Sequence, residues 1–156
     1  MKKFLLSLCF LFLALRGVAS SFPSLEPSFV PQDLFTPAGI PTVFTADEIV
    51  QFSLLYSECE PGSAAYEKAL QTFDSLRSII LEPEIMSLAE EDRGRAVLKL
   101  LYRDILKHYV AGQTKFDEAL FSGNYNCVSS ALLYMAAAKA AGLDVRGQKT
   151  PDHAFC

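Results

Sequence analysis

The sequence has little positive charge and no basic cluster. It carries 14 lysines and arginines against 18 aspartates and glutamates, and its formal net charge is −4 at pH 7. This balance argues against binding to nucleic acid or to an anionic membrane surface. The sequence also lacks a Gly-rich phosphate loop, a paired-carboxylate motif and His-x-x-x-His metal spacing. We therefore expect no nucleic-acid partner and no metal or other cofactor.

Long apolar runs are also scarce, and the one that exists lies at the N-terminus. Lysines precede the apolar run from Phe4 to Leu15, and small residues follow it from Gly17 to Ser21. This order is typical of a secretory signal peptide, here over residues 1–20. The run is shorter than the roughly 20 apolar residues of a membrane span. We expect an exported protein, periplasmic or secreted, without a membrane span after signal removal; an uncleaved N-terminal anchor is the alternative.

Prolines are concentrated in the segment that follows. Five of the eight prolines lie between Phe22 and Phe44. Because proline interrupts helices and central strands, residues 21–44 are predicted to be a linker or an arm. Its many apolar side chains predict that part of this arm lies against the single domain expected over residues 45–156.

Two capping boxes and a further serine predict three helices in the N-terminal part of this domain, residues 45–122. Thr45 and Glu48 begin the first helix, which should end near Glu60. Its apolar face consists of Ile49, Phe52 and Tyr56. Ser63 begins the second helix, in which apolar residues recur at helical spacing: Tyr66, Ala69, Leu70, Phe73, Leu76 and Ile80.

The third helix is predicted to begin at the Ser87–Glu90 capping box and to end at Gly112. Its apolar stripe consists of Val97, Leu98, Leu101, Ile105 and Tyr109. Basic residues in its last turn, including His108, would complement the helix dipole. His108 therefore has a structural explanation. A short helix or turn from Phe116 then leads to Gly123.

The last part of the chain opens with a turn, Gly123–Asn126, and no helix breaker follows before Gly142. Asn124 or Asn126 supplies the helix cap. If Asn126 is the cap, Cys127 lies in the first turn, where free N–H groups and the helix dipole favour the thiolate. The helix is apolar on nearly every side, so we expect it to be buried. Cys127 is thus a candidate nucleophile; the plainer alternative is a small buried hydrophobic residue.

Two strands are expected after this helix. Leu143–Gly147 alternates apolar and polar residues, and Pro151 introduces a second segment that carries His153. Packed against the N-terminal end of the helix, this second strand would bring the imidazole within reach of Cys127 to accept its proton and pass it to a leaving group. Cys127 and His153 are the predicted catalytic residues.

At these residues the chain resembles the transglutaminase-like superfamily of papain-type thiol enzymes, specifically the bacterial transglutaminase-like proteins. The matching segments are Tyr125–Ser129, the alanine-rich helix ending in Ala141–Leu143, and Thr150–Phe155. They lie within residues 125–155, about the last fifth of the chain. The resemblance implies a cysteine that opens the central helix, a histidine on the next strand and an orienting aspartate on the strand after that. It implies that Cys127 is the nucleophile, His153 the base, and a protein or peptide amide the substrate.

The orienting aspartate has no counterpart up to Cys156. Asp152 precedes the histidine directly, and neighbours on a strand point to opposite faces, so Asp152 is a poor substitute. We therefore expect residues 123–156 to be the first portion of a catalytic core, with its C-terminal part missing.

Three hypotheses about function follow. The first is an exported thiol enzyme that transfers or hydrolyses an acyl group at a protein or peptide amide through a Cys-His(-Asp) mechanism. The second is a catalytically inactive domain of the same fold that binds or scaffolds a peptide. The third is a non-functional truncated fragment with an incomplete sheet.

The expected fold class is α+β, with a mainly helical N-terminal part and a central Cys-bearing helix packed on an incomplete antiparallel sheet, as in transglutaminase-like and papain-like folds.

Removal of the signal peptide leaves Cys59, Cys127 and Cys156, an odd number in an oxidising compartment. A Cys59–Cys156 disulfide with Cys127 free is one arrangement. A disulfide that involves Cys127 is the other.

Overall fold

A computed structural model describes residues 44–156. The predicted signal peptide and the proline-rich arm, apart from Phe44, lie outside the described residues. Phe44 itself packs against the hydrophobic core. Within residues 44–156, no helix has the length and apolar character needed to cross a bilayer.

The described part of the chain is α+β and mainly helical. Its helices are α1 (Ala46–Tyr56), α2 (Ala64–Ile80), α3 (Pro83–Met86), α4 (Glu90–Asp104), α5 (Phe116–Phe121) and α6 (Cys127–Ala140). Its strands are β1 (His108–Tyr109), β2 (Asn124–Tyr125), β3 (Gln148–Lys149) and β4 (Ala154–Phe155). β1 and β2 pair in parallel, whereas β3 and β4 form an antiparallel hairpin.

Helix α6 is the centre of the core. It contacts α1, α2, α4 and α5, and none of its residues is exposed. Because its alanine side chains are short, neighbouring helices can approach the axis of α6 closely. The prediction that the cysteine-bearing helix is buried is confirmed, although Cys127 itself is only partly buried.

The capping box of α1 forms as predicted, but its buried face was predicted wrongly. Phe52 and Tyr56 are exposed, and the helix ends at Tyr56 rather than near Glu60. The buried residues are Ile49, Val50, Ser53 and Leu54. Because α1 packs on the alanine-rich α6, the small Ser53 fits the interface and the larger aromatic rings face away.

Helix α2 follows its prediction closely. Ser63 accepts a hydrogen bond from the Tyr66 backbone N–H, and the helix ends at Ile80, before Pro83. Its buried residues are Tyr66, Ala69, Phe73, Leu76 and Ile80. The predicted periodicity therefore located the core face of this helix.

The predicted boundaries of the third helix are wrong at both ends. Ser87 ends the short α3, and α4 begins after Ala89 without a side-chain cap. At the other end, α4 stops at Asp104 instead of Gly112, so His108 lies on a strand and not in a last helical turn. The buried residues of α4 are Val97, Leu100 and Leu101.

A long-range contact ends α4. The backbone N–H groups of Lys107 and His108 both donate to the Gly123 carbonyl oxygen, at 2.8 and 3.1 Å. This contact starts the parallel β1–β2 pair. Gly123 has φ +73°, and a Cβ on it would lie 2.6 Å from the Ile105 carbonyl oxygen. The backbone of this turn therefore requires glycine.

The strand predicted over Leu143–Gly147 does not form. Leu143 is buried and its backbone N–H donates to Ala138 at the end of α6. No neighbouring strand offers hydrogen bonds to this segment within residues 44–156, so pairing begins only at Gln148. The second predicted strand is likewise shorter than expected, since β4 begins at Ala154 and His153 lies in the hairpin loop.

Two glycines with similar backbone angles test how much the close contact at Gly123 contributes. Gly62 has φ +78°, and a Cβ added to it would have no neighbouring atom within 4 Å. We expect Gly62→Ala to lower the free energy of unfolding by about 1 kcal/mol, the cost of the left-handed conformation alone. Gly123→Ala should cost roughly 1–3 kcal/mol more because of the clash. Urea denaturation measures both; equal losses would contradict the proposed role of this turn.

Candidate active site

Asn126 caps the helix that carries the predicted nucleophile. Its Oδ1 accepts hydrogen bonds from the backbone N–H groups of Val128 and Ser129, at 2.9 and 3.1 Å. The Ser129 hydroxyl oxygen in turn accepts from the Asn126 backbone N–H at 3.0 Å, which completes a capping box. Of the two asparagines considered from the sequence, Asn126 is therefore the cap, and Cys127 is the first residue of α6.

The cap leaves one N–H group free in this turn. Asn126 uses the N–H groups of the second and third residues of α6, whereas the Cys127 N–H has no hydrogen-bond partner among the residues that the structure describes. This N–H lies next to the Cys127 side chain at the positive end of the helix dipole. It is oriented by the helix and available to a negatively charged oxygen.

Cys127 and His153 line the same pocket, which has a volume of about 350 Å³. The pocket lies between α4, the start of α6 and the β3–β4 hairpin. Its lining residues are Leu98, Leu101, Tyr102, Leu106, Tyr109, Tyr125, Cys127, Ser130, Ala131, Tyr134, His153, Ala154, Phe155 and Cys156. The volume is near the lower end of the range of roughly 300–1,000 Å³ that is usual for small-molecule sites.

His153 is exposed and has a hydrophobic neighbour rather than an acidic one. Its ring stacks on Phe155, with 6.1 Å between ring centroids and 21° between ring planes. Among residues 44–156, no hydrogen bond joins the imidazole to the Cys127 thiol or to a carboxylate. Asp152 instead accepts a hydrogen bond from the Thr150 hydroxyl at 2.9 Å. Asp152 therefore does not orient the histidine.

Three tyrosines form an edge-to-face cluster on one wall of the pocket. The ring of Tyr125 lies 5.8 Å from the rings of both Tyr102 and Tyr109, at interplanar angles of 80° and 84°. Such perpendicular contacts are favourable because the positive edge of one ring meets the negative face of the next. Burial, and then the neighbouring Tyr125, raises the pKa of the Tyr102 phenol. Packing is thus the role that the structure gives to Tyr125.

A second thiol lies in this pocket. Cys156 Sγ donates to the Ala131 carbonyl oxygen of α6 at 3.6 Å. Although Cys156 as a whole is exposed, desolvation raises the pKa of its thiol. Burial, and then the nearby Cys156, also raises the pKa of Tyr134.

The third thiol lies elsewhere, and no disulfide forms among the described residues. Cys59, Cys127 and Cys156 are all free. Cys59 is only 8% exposed and lies beside Asp117 of α5, away from the pocket that contains the other two. The Cys59–Cys156 disulfide considered from the sequence is therefore absent. Burial, and then the Asp117 carboxylate, raises the pKa of the Cys59 thiol to about 11.

Sequence reasoning missed most of the pocket wall. Ser130, Ala131 and Tyr134 follow Cys127 at helical spacing, so their shared face was readable once the start of α6 was known. Leu98 and Tyr109 were predicted as members of one apolar helical stripe, and the sequence did not show that they line a pocket; Tyr109 reaches the pocket only because α4 ends at Asp104 and β1 follows. In residues 44–156, no group of three or more His, Cys, Asp or Glu side chains is arranged to hold a metal ion.

In comparisons with known proteins, no family model, no curated protein and no solved structure matches the chain.

The raised pKa of Cys59 predicts a pH-dependent contribution to stability. Below the ordinary thiol pKa of 9.0, the thiol is protonated in both states and its full contribution is present. Between pH 9.0 and about 11, the unfolded chain ionises while the folded chain does not, so the contribution is lost as the pH rises. The loss levels off above that window. Two pKa units correspond to about 2 to 3 kcal/mol.

Urea denaturation of the wild type and of Cys59→Ala from pH 8 to 11 measures this contribution. The difference in unfolding free energy between the two proteins should decline across the window by an amount of that order. Asp117→Asn should reduce the decline, because it removes the negative charge beside the thiol. A difference that is constant with pH would contradict the assignment.

Proposed function

We propose that the pocket is a thiol acyl-transfer site of an exported transglutaminase-like protein, with Cys127 as nucleophile and His153 as base. One observation carries the proposal: the first residue of α6 is a cysteine with a free backbone N–H, and it shares a pocket with His153. The resemblance of Tyr125–Ser129 and Thr150–Phe155 to the transglutaminase-like superfamily supports the same assignment. The substrate proposed is a protein or peptide amide.

The chemistry has two stages. His153 accepts the thiol proton, and Cys127 Sγ attacks the amide carbon, so that a C–S bond forms and the carbonyl oxygen becomes negative. The free Cys127 N–H stabilises that oxygen. When the C–N bond breaks, His153 returns the proton to the departing amine and a thioester remains. Water or a second amine then attacks the thioester, which releases the acid or a new amide and regenerates the thiol.

The position of His153 requires a movement before proton transfer. The imidazole stacks on Phe155 and is exposed, so a rotation of its side chain is not opposed by core packing. Catalytic hydrogen bonds in unliganded enzymes are often long and shorten when substrate binds. No acidic side chain orients the ring in residues 44–156, so the proposed pair acts without the third member that the family resemblance implies.

A peptide-binding function without catalysis is the second candidate. The observation that favours it is the absence of a hydrogen bond between Cys127 and His153 in a pocket whose wall is mainly aromatic and aliphatic. A binding domain needs the wall and neither the thiol nor the imidazole. Peptide binding that survives in both Cys127→Ala and His153→Ala, without release of amine from any peptide amide, would favour this candidate.

The reaction of Cys127 with iodoacetamide tests the proposed pair. We expect His153→Ala to slow alkylation of Cys127 at pH 7 by at least about 10-fold, because the imidazole no longer accepts the thiol proton. Mass spectrometry of the peptide that contains Cys127 measures the rate and separates it from the rates of Cys59 and Cys156.

His108 offers a matched control. It is the other histidine of the chain, is exposed on β1 and does not line the pocket. His108→Ala should leave the rate at Cys127 unchanged. Equal rates in the wild type and His153→Ala would reject the proposed pair, and release of aminocoumarin from fluorogenic peptide amides would then be expected in neither protein.

A further inference from the structure

We infer that the pocket beside Cys127 binds an uncharged apolar side chain, preferably aromatic, of the peptide whose amide is attacked. This inference rests on the proposed thiol chemistry, because it assigns the pocket to the substrate residue that bears the reacting carbonyl. It names a substrate class, which the identities of Cys127 and His153 do not.

The first support is the absence of acidic, lysine and arginine side chains from the described pocket wall. Ten of its 14 lining residues are aromatic or aliphatic, and none is Asp, Glu, Lys or Arg. A charged side chain that entered the pocket would lose water without gaining an opposite charge from an Asp, Glu, Lys or Arg side chain of the wall, which is costly. An apolar side chain pays no such penalty and gains from burial.

The second support is that three polar side chains of the wall already have backbone partners. The Ser130 hydroxyl donates to the Asn126 carbonyl oxygen at 2.6 Å, and the Tyr134 hydroxyl donates to the Gly94 carbonyl oxygen at 3.4 Å. The thiol of Cys156 donates to Ala131. These three donors are directed at the backbone, so they are not available to a charged or polar ligand group.

The third support is the exposed apolar surface of this pocket, which contains four of the ten large hydrophobic residues that are exposed in residues 44–156. Leu98, Tyr102, Tyr109 and Phe155 are 42, 49, 61 and 41% exposed. All four line the pocket. Clustered exposed apolar residues mark binding sites more often than scattered ones do. An aromatic occupant would extend the edge-to-face packing that already joins Tyr102, Tyr109 and Tyr125.

The position of the wall connects the occupant to the reacting groups. Tyr125 precedes Cys127 by two residues, and Phe155 follows His153 by two residues and stacks with it. A side chain that packs on Tyr125 and Phe155 therefore lies beside both proposed catalytic groups. Its own backbone carbonyl is then held near the thiol, which is the arrangement that proximity catalysis needs.

Chloromethyl ketones that differ only in the side chain test this inference on the full chain. The reagents are the N-acetyl derivatives of phenylalanine, lysine and aspartate, and the rate of each at Cys127 is divided by the rate with chloroacetone, which has no side chain. This ratio removes the intrinsic reactivity of the thiol. We expect the ratio for phenylalanine to exceed the ratios for lysine and aspartate by at least about 10-fold. Equal ratios, or a larger ratio for either charged reagent, would overturn the inference.

Two exposed apolar residues supply matched variants. Leu98→Asp places a carboxylate in the pocket wall and should lower the phenylalanine ratio while raising the lysine ratio. Phe52→Asp makes a similar change at a 53% exposed position on α1, outside the pocket, and should alter neither. Circular dichroism melts show whether each variant folds. The same loss in both variants would count against the inference.

A binding measurement keeps the inference separate from the proposed catalysis. Addition of N-acetylphenylalaninamide should shift the ring NMR signals of Tyr102 and Tyr109 more strongly than N-acetyllysinamide does. This result in a protein whose Cys127 is unreactive would support the pocket assignment and reject the catalytic proposal. No selective shift would reject the pocket assignment even if Cys127 were reactive.

Discussion

The buried side chain of Asn126 joins the start of α6 to the loop that follows β1. Its Oδ1 accepts from two N–H groups of α6, and its Nδ2 donates to the Ala111 carbonyl oxygen at 3.1 Å. Ser129 adds a second link, since its hydroxyl donates to the Gln113 carbonyl oxygen at 3.2 Å. A buried amide with these bonds satisfied holds both segments in one position. The orientation of Cys127 and of the pocket wall beside it depends on this junction.

Helices α4 and α6 each have one side that faces the core and another that faces the pocket. One side of each helix packs in the core, where Val97 and Leu133 are fully buried. The other sides face the pocket, and there Leu98 and Tyr102 remain substantially exposed. Exposed aromatic surface beside a thiol at a helix N-terminus is consistent with recognition of an apolar group next to a reacting carbonyl. The same surface would serve a binding domain, so the wall by itself does not distinguish the proposed enzyme from a peptide-binding domain.

Local interactions account for the parts of the fold that were predicted correctly. The caps at Thr45, Ser63 and Asn126 involve residues two or three positions apart, and these contacts depend little on the rest of the chain. The similar pattern at Ser87–Glu90 failed because Ser87 ends α3, so its hydroxyl is not placed at the start of α4. The face of α1 was predicted wrongly because periodicity alone does not reveal that its neighbour is an alanine-rich helix.

The sequence by itself determined that a long apolar helix follows the Gly123–Asn126 turn and ends before Gly142, since an asparagine cap and a terminal glycine act within a few residues. Gly142 has φ +74° as its position predicts. It also predicted His153 as the partner of Cys127. Only the tertiary structure decided where α4 ends, that β1 and β2 pair in parallel, and that four tyrosines from separate segments line one pocket with Cys127. These features depend on contacts such as Gly123 with Lys107 and His108, between residues 15 or 16 positions apart, and no local pattern encodes such contacts.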